Sequence, residues 1–175
     1  MKETATEREK LLLRSTSEFC QALLDPPPPP KLITKYFTPA NPRITEHGPE
    51  WARTRLPFLA KTFSGESECE EYFTLLAQVL TMKLENDAFP APESGEYVVD
   101  VAATAEKEEG ELKGVVTVVG TGTFASIKTG KEWSEKFIYR FSGFDREGRI
   151  GHWEIWADPL SAWVAVGDTW ASNLL

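Results

Sequence analysis

The 175-residue chain has few of the side chains that most readily announce chemistry: two cysteines, Cys20 and Cys69, and two histidines, His47 and His152. Neither cysteine has a second one at metal-ligand spacing, and these four residues are too scattered to compose a structural zinc site, so no metal is expected. The first seven residues are charged and lack the apolar segment of a secretory signal. A cytoplasmic location is therefore expected, which argues against a disulfide and leaves Cys20 as a small core residue. No apolar run approaches the roughly 20 residues needed to span a bilayer, so no membrane partner is expected. Basic residues are outnumbered, 19 Lys and Arg against 27 Asp and Glu, for a net charge of −8. Phosphate backbones need a basic surface, so a nucleic-acid partner is not expected either. Gly120-Thr121-Gly122 is too short to cradle a phosphate and lies inside a predicted strand. No Ser-His-Asp order and no cofactor signature is evident, so the expected cofactor set is empty.

What is present suits one soluble domain, with 41% hydrophobic and 26% charged residues. The spacing of Leu12, Phe19 and Leu23 predicts a helix over residues 6–24, opened by the capping-box pattern Thr6-x-x-Glu9. Five consecutive prolines at 26–30 end it. They read as a stiff extended spacer or, alternatively, as a ligand for an SH3-type domain. Residues 31–37 read as a short helix or turn, 43–47 as a short strand, and 50–61 as irregular. Ser67-x-x-Glu70 predicts the cap of a second long helix over 67–82, with Tyr72, Leu75, Leu76, Val79 and Leu80 on its apolar face. Strands then follow one another: 83–89, 96–104, a charged turn at 106–110, 112–124, 133–142 and 149–157. The tail from 160 is expected to form a short helix and then fray. Helices first and sequential hairpins after predict an α+β fold with one curved antiparallel sheet. The domain plan is an N-terminal helix and polyproline spacer over 1–31, part of the same domain as a main body over 32–166, then a tail over 167–175.

The stretch from Trp133 to Trp163 is the most informative. Its two strands flank the turn Asp145-Arg146-Glu147-Gly148. With Arg146 at the tip, Tyr139 faces Trp153, Phe137 faces Ile155 and Glu135 faces Ala157. Alternation puts all of them on one face, which helices must cover. Lys136, Ile138, Arg140, His152, Glu154 and Trp156 share the other face, as a solvated or dimer-facing ladder.

The order of elements, together with Arg43-Ile44-Thr45-Glu46-His47-Gly48-Pro49, Phe63-Ser64-Gly65 before a helix carrying Leu75-Leu76, Thr129-Gly130-Lys131-x-Trp133, and Asp145-x-x-Gly148-Arg149-Ile150 leading to Trp156-Ala157-Asp158-Pro159, resembles the SnoaL-like branch of the nuclear transport factor 2-like superfamily. The resemblance covers roughly residues 32–166. It implies a cone-shaped domain whose curved sheet and N-terminal helices enclose a deep pocket, and it implies a homodimer, often through the other face of the sheet. The superfamily includes polyketide cyclases, ketosteroid isomerase, scytalone dehydratase, epoxide hydrolases, phenazine-biosynthesis proteins and members without catalysis, so fold does not settle function. Several catalytic relatives carry an acid on the last strand four residues before the proline. Here that position is Ile155; its neighbour Glu154 points inward only if a bulge turns it.

His47, on a short strand expected to enter the pocket, is the first candidate for acid–base work, because histidine titrates near neutral pH. The alternative is a histidine bonded in place to order the Arg53–Arg55 loop. Glu46 alternates with it, so only one of the two faces inward. Tyr139 can donate to a developing enolate oxygen, and Glu135, a carboxylate beside apolar surface, is a second acid–base candidate. Their alternatives are a core aromatic and a rim salt bridge. Trp133, Phe137, Trp153, Ile155 and Phe124 are the expected ligand-binding wall, flat and apolar enough for a polycyclic or aromatic metabolite. Two functions follow. One is a cofactor-independent isomerase, cyclase or dehydratase of secondary metabolism acting on an apolar oxygenated substrate. The other is a non-catalytic ligand-binding or dimerisation module of the same fold.

Overall fold

The structure, a computed structural model, describes residues 5–105 and 112–167. The charged turn expected at 106–110 and the fraying end of the tail lie outside them. Helix α1, Ala5–Ala22, buries Leu12, Thr16, Phe19 and Cys20 along one stripe, the spacing of a helix laid against a core. Helix α2 is Pro29–Tyr36. The proline run therefore does more than stop α1: its last two members open the next helix, where a missing N–H costs nothing and φ is already set. Helix α3, Glu66–Val79, begins after Gly65, so Ser67 is already helical and does not cap it. The Glu68 carboxylate instead reaches back to the Ser64 N–H at 2.9 Å. Thr6 likewise lies inside α1.

The strands are β1 (Arg43–Glu46), β2 (Thr62–Ser64), β3 (Leu80–Lys83), β4 (Val98–Asp100), β5 (Val115–Ser126), β6 (Glu132–Ser142) and β7 (His152–Trp156), followed by helix α4 (Pro159–Val166). A single 3₁₀ turn, Glu50–Thr54, interrupts the stretch expected to be irregular. The strands form one curved sheet in the order β2-β1-β7-β6-β5-β3, with β4 beside the first half of β5. The sheet is mixed rather than wholly antiparallel, because β1 and β7 run parallel. The reason lies just upstream of both strands. Thr38 donates to the Ile150 carbonyl and Ile150 donates to the Tyr36 carbonyl, so the two approaching segments already run side by side in one direction.

The β6–β7 register also differs from the expected one. Tyr139 pairs with Ile155 and Phe141 with Trp153, a shift of two residues. Gly148 sits at φ +80° and donates to the Asp145 carbonyl, while Asp145 N–H donates to the Arg149 carbonyl. The left-handed glycine is therefore the third residue of a three-residue turn, which moves the tip from Arg146 to Glu147. A shift of two keeps every side chain on its own face; a shift of one would have reversed them all. Phe137, Tyr139, Phe141, Trp153 and Ile155 do share the inner, buried face.

Helices α1 to α3 lie over that face. Phe19 of α1 meets Phe37, Phe141 and Trp153 edge to face at 5.1–5.7 Å between ring centres. Each such buried ring contributes about 2–3 kcal/mol. No helix among the described residues is long and apolar enough to cross a membrane.

Candidate active site

Between the inner face of the sheet and the helices lies a cavity of about 520 Å³. Its walls come from β5 and β6 (Phe124, Trp133, Phe137, Tyr139), from β7 (Trp153, Ile155) and from α3 (Tyr72, Phe73, Leu76). Residues 26–29, the first four prolines of the run, complete one side, and Asp158 and Pro159 at the start of α4 another. Seven of the residues singled out from the sequence thus meet in one space: Tyr139, Glu135, Trp133, Phe137, Trp153, Ile155 and Phe124.

His47 does not line the cavity. It follows directly on β1, and the strand's alternation sends Ile44 and Glu46 inward and turns His47 to the outer face. There its ring lies flat on Trp156, 4.1 Å between centres, and its Nε2 is 3.0 Å from Glu154 Oε1. Arg140 donates to the other Glu154 oxygen at 2.8 Å. Glu154 is therefore held on the outer face, no bulge turns it inward, and the inner position beside it is Ile155.

The residue that takes the inner place is Glu46, which is buried and lines the cavity. The Tyr72 hydroxyl donates to Glu46 Oε2 at 2.7 Å. Burial pushes the Glu46 carboxyl up to about 7, against the pull of the Tyr72 bond, with the Glu135 charge adding a little more. The Tyr72 hydroxyl is raised well above its ordinary value by burial and by its carboxylate partner. Tyr139 is 4% exposed, and its hydroxyl is also raised well above its ordinary value, first by burial and then by Cys20, Glu46 and Glu135. That hydroxyl makes no hydrogen bond among the described residues, yet it belongs to the cavity wall. Such a donor is available to a ligand.

Glu135 is fixed nearer the start of β6. Trp133 Nε1 donates to its Oε2 at 3.0 Å, and the Asp158 N–H donates to the same oxygen at 3.2 Å. Burial raises its carboxyl, and these two bonds oppose the rise. Asp158 caps α4, accepting from the Leu160 and Ser161 N–H groups, and the bonds from Ser161 hold its carboxyl below the ordinary value. Sequence reasoning weighed Glu46 only as the alternative to His47, and used Tyr72 only as an apolar helix face. The signal was present in Ile44: an apolar residue two positions before Glu46 marks the parity of the inner face.

Among solved structures the chain is similar to a nuclear transport factor 2-like protein of unknown function from Burkholderia pseudomallei, with a TM-score of 0.63 at 17% identity over 90% of this chain and 98% of that one. The chain has the nuclear transport factor 2-like fold. It is also similar to TerC, a protein co-crystallised with polyporic acid (TM-score 0.62, 16% identity, 89% of this chain and 98% of that one). A third is a phenazine biosynthesis-related protein from Pseudomonas aeruginosa (TM-score 0.58, 11% identity, 93% of this chain and 91% of that one). No family model and no curated protein matches the sequence. Identities this low carry the fold and leave the chemistry to the site itself. Among the described residues, no group of three or more His, Cys, Asp and Glu is placed to hold a metal.

Proposed function

We propose that the chain is a small-molecule enzyme that moves a proton on an apolar, oxygenated substrate, as in an isomerisation, cyclisation or dehydration, with Glu46 as the acid–base group. The observation that carries this reading is a carboxyl lifted to about 7 inside an aromatic cavity, oriented by Tyr72 and sharing that cavity with a Tyr139 hydroxyl that has no hydrogen-bond partner among the described residues. A carboxylate near neutrality is poised both to accept and to return a proton. In the proposed step Glu46 takes a proton from carbon beside a carbonyl: the C–H bond breaks, an O–H bond forms on Glu46, and the electron pair moves onto the carbonyl oxygen. Tyr139 donates a hydrogen bond to that oxygen as its charge develops. In a β,γ-unsaturated ketone, return of the proton to the γ-carbon shifts the double bond and completes an isomerisation with no further reactant. Tyr72 is a positioning residue that fixes the carboxyl.

The test follows deuterium exchange into β-tetralone in heavy water by NMR. The protein should accelerate exchange, and Glu46→Gln should lower the acceleration roughly 100-fold with an unchanged circular dichroism spectrum. Exchange at the same rate in the two proteins removes Glu46 from the chemistry. A second reading, a ligand-binding module without catalysis, is favoured by Ile155 at the position where the resemblance places an acid. Binding of β-tetralone with no accelerated exchange would select it.

A further inference from the structure

The charges around the cavity are all of one sign. Glu46, Glu135 and Asp158 line it, and among the described residues no lysine, arginine or histidine does. Arg55 packs on α4 instead: its guanidinium stacks 3.7 Å over the Trp163 ring and donates to the Trp163 carbonyl. Asp158 is compensated by the N-terminus of α4. Among the described residues, the donors to Glu46 and Glu135 are neutral: Tyr72, Trp133 and a backbone N–H. Two buried or half-buried carboxylates without a counter-charge are costly, and a cleft lined by one sign focuses its field into the space between low-dielectric walls. Those walls include the rings of Trp133, Trp153, Phe137 and Tyr139, whose π faces attract a cation. The Tyr139 hydroxyl, without a hydrogen-bond partner among the described residues, independently favours a ligand with a polar atom.

Resting on the reading of this cavity as the substrate site, we infer that its oxygenated apolar substrate also carries an amine, bound as the ammonium between the aromatic walls and the Glu46 and Glu135 carboxylates, and that carboxylates and phosphate esters of the same size are rejected. An anion in the cavity would meet two like charges and no cation. The ammonium supplies the missing counter-charge to Glu46 or Glu135, while the hydrocarbon part of the ligand takes up the apolar wall.

Calorimetric titration of the full chain at mildly alkaline pH with naphthylmethylamine, naphthylmethanol and naphthoate separates the possibilities on one hydrocarbon frame. The expected order is the amine about tenfold tighter than the alcohol, with no measurable binding of naphthoate. In a Glu46→Gln, Glu135→Gln double variant the amine's advantage over the alcohol should vanish. Naphthoate binding as tightly as the amine overturns the charge inference while leaving the cavity as the ligand site. The amine and alcohol binding equally does the same. No heat from any of the three overturns both this inference and the proposed use of the cavity.

Discussion

The Glu46 carboxylate and the His47 imidazole are neighbours in the chain and stand on opposite faces of the sheet, one inside the cavity against Tyr72 and the other outside against Trp156. This separates their roles. The rate of β-tetralone exchange should rise with pH as Glu46 loses its proton and level off above about 7. His47→Ala should leave both the plateau and the midpoint in place. A midpoint that disappears in His47→Ala, and persists in Glu46→Gln, would reverse the assignment.

Stability should record the same carboxyl. Glu46 is raised from 4.5 to about 7 in the folded chain, so between those values the folded state holds a proton that the unfolded state has lost. Unfolding free energy then falls as pH rises through that window, and the contribution is constant above and below it. The size is on the order of 3 kcal/mol. Denaturant unfolding of the wild type and of Glu46→Gln across the window should give a difference that changes with pH in this sense. Two parallel curves would show that burial does not hold the proton on Glu46.

The outer face bears on assembly. Val119 pairs with Ile138 and Ile138 with Trp156, and all three are exposed, at 49%, 43% and 38%. Arg140, Glu154 and Lys136 flank this apolar row with both signs of charge, an arrangement that can complement itself across a two-fold axis. We propose that a second copy of the chain covers it. Light scattering should find a dimer for the wild type and a folded monomer for Trp156→Asp. A wild-type monomer at micromolar concentration would sink the proposal.

The shared inner face was legible because side-chain alternation does not depend on the exact turn. Phe137, Tyr139, Trp153 and Ile155 reach the same cavity through a register two residues from the expected one. The parallel pairing of β1 with β7 was not legible. It depends on contacts between Tyr36, Thr38 and Ile150, more than a hundred residues apart in the chain, and no local pattern encodes them. Nor could the choice between Glu46 and His47 be made from histidine's chemistry, since the strand's geometry decides which of the two faces inward. Gly120 lies between these cases. A glycine within a strand signals a close approach, and here a Cβ would stand 2.3 Å from the Phe137 ring and 2.8 Å from that of Phe89. Only the structure says which rings approach.

The prolines at 26–29 that form one side of the cavity have their backbone φ angles set before any ligand arrives. That side of the cavity has little rotational freedom left to lose, so holding it against a bound molecule costs little conformational entropy. Recognition there is a matter of matching a fixed shape, and a ligand one ring too wide cannot be accommodated by the rim rearranging around it.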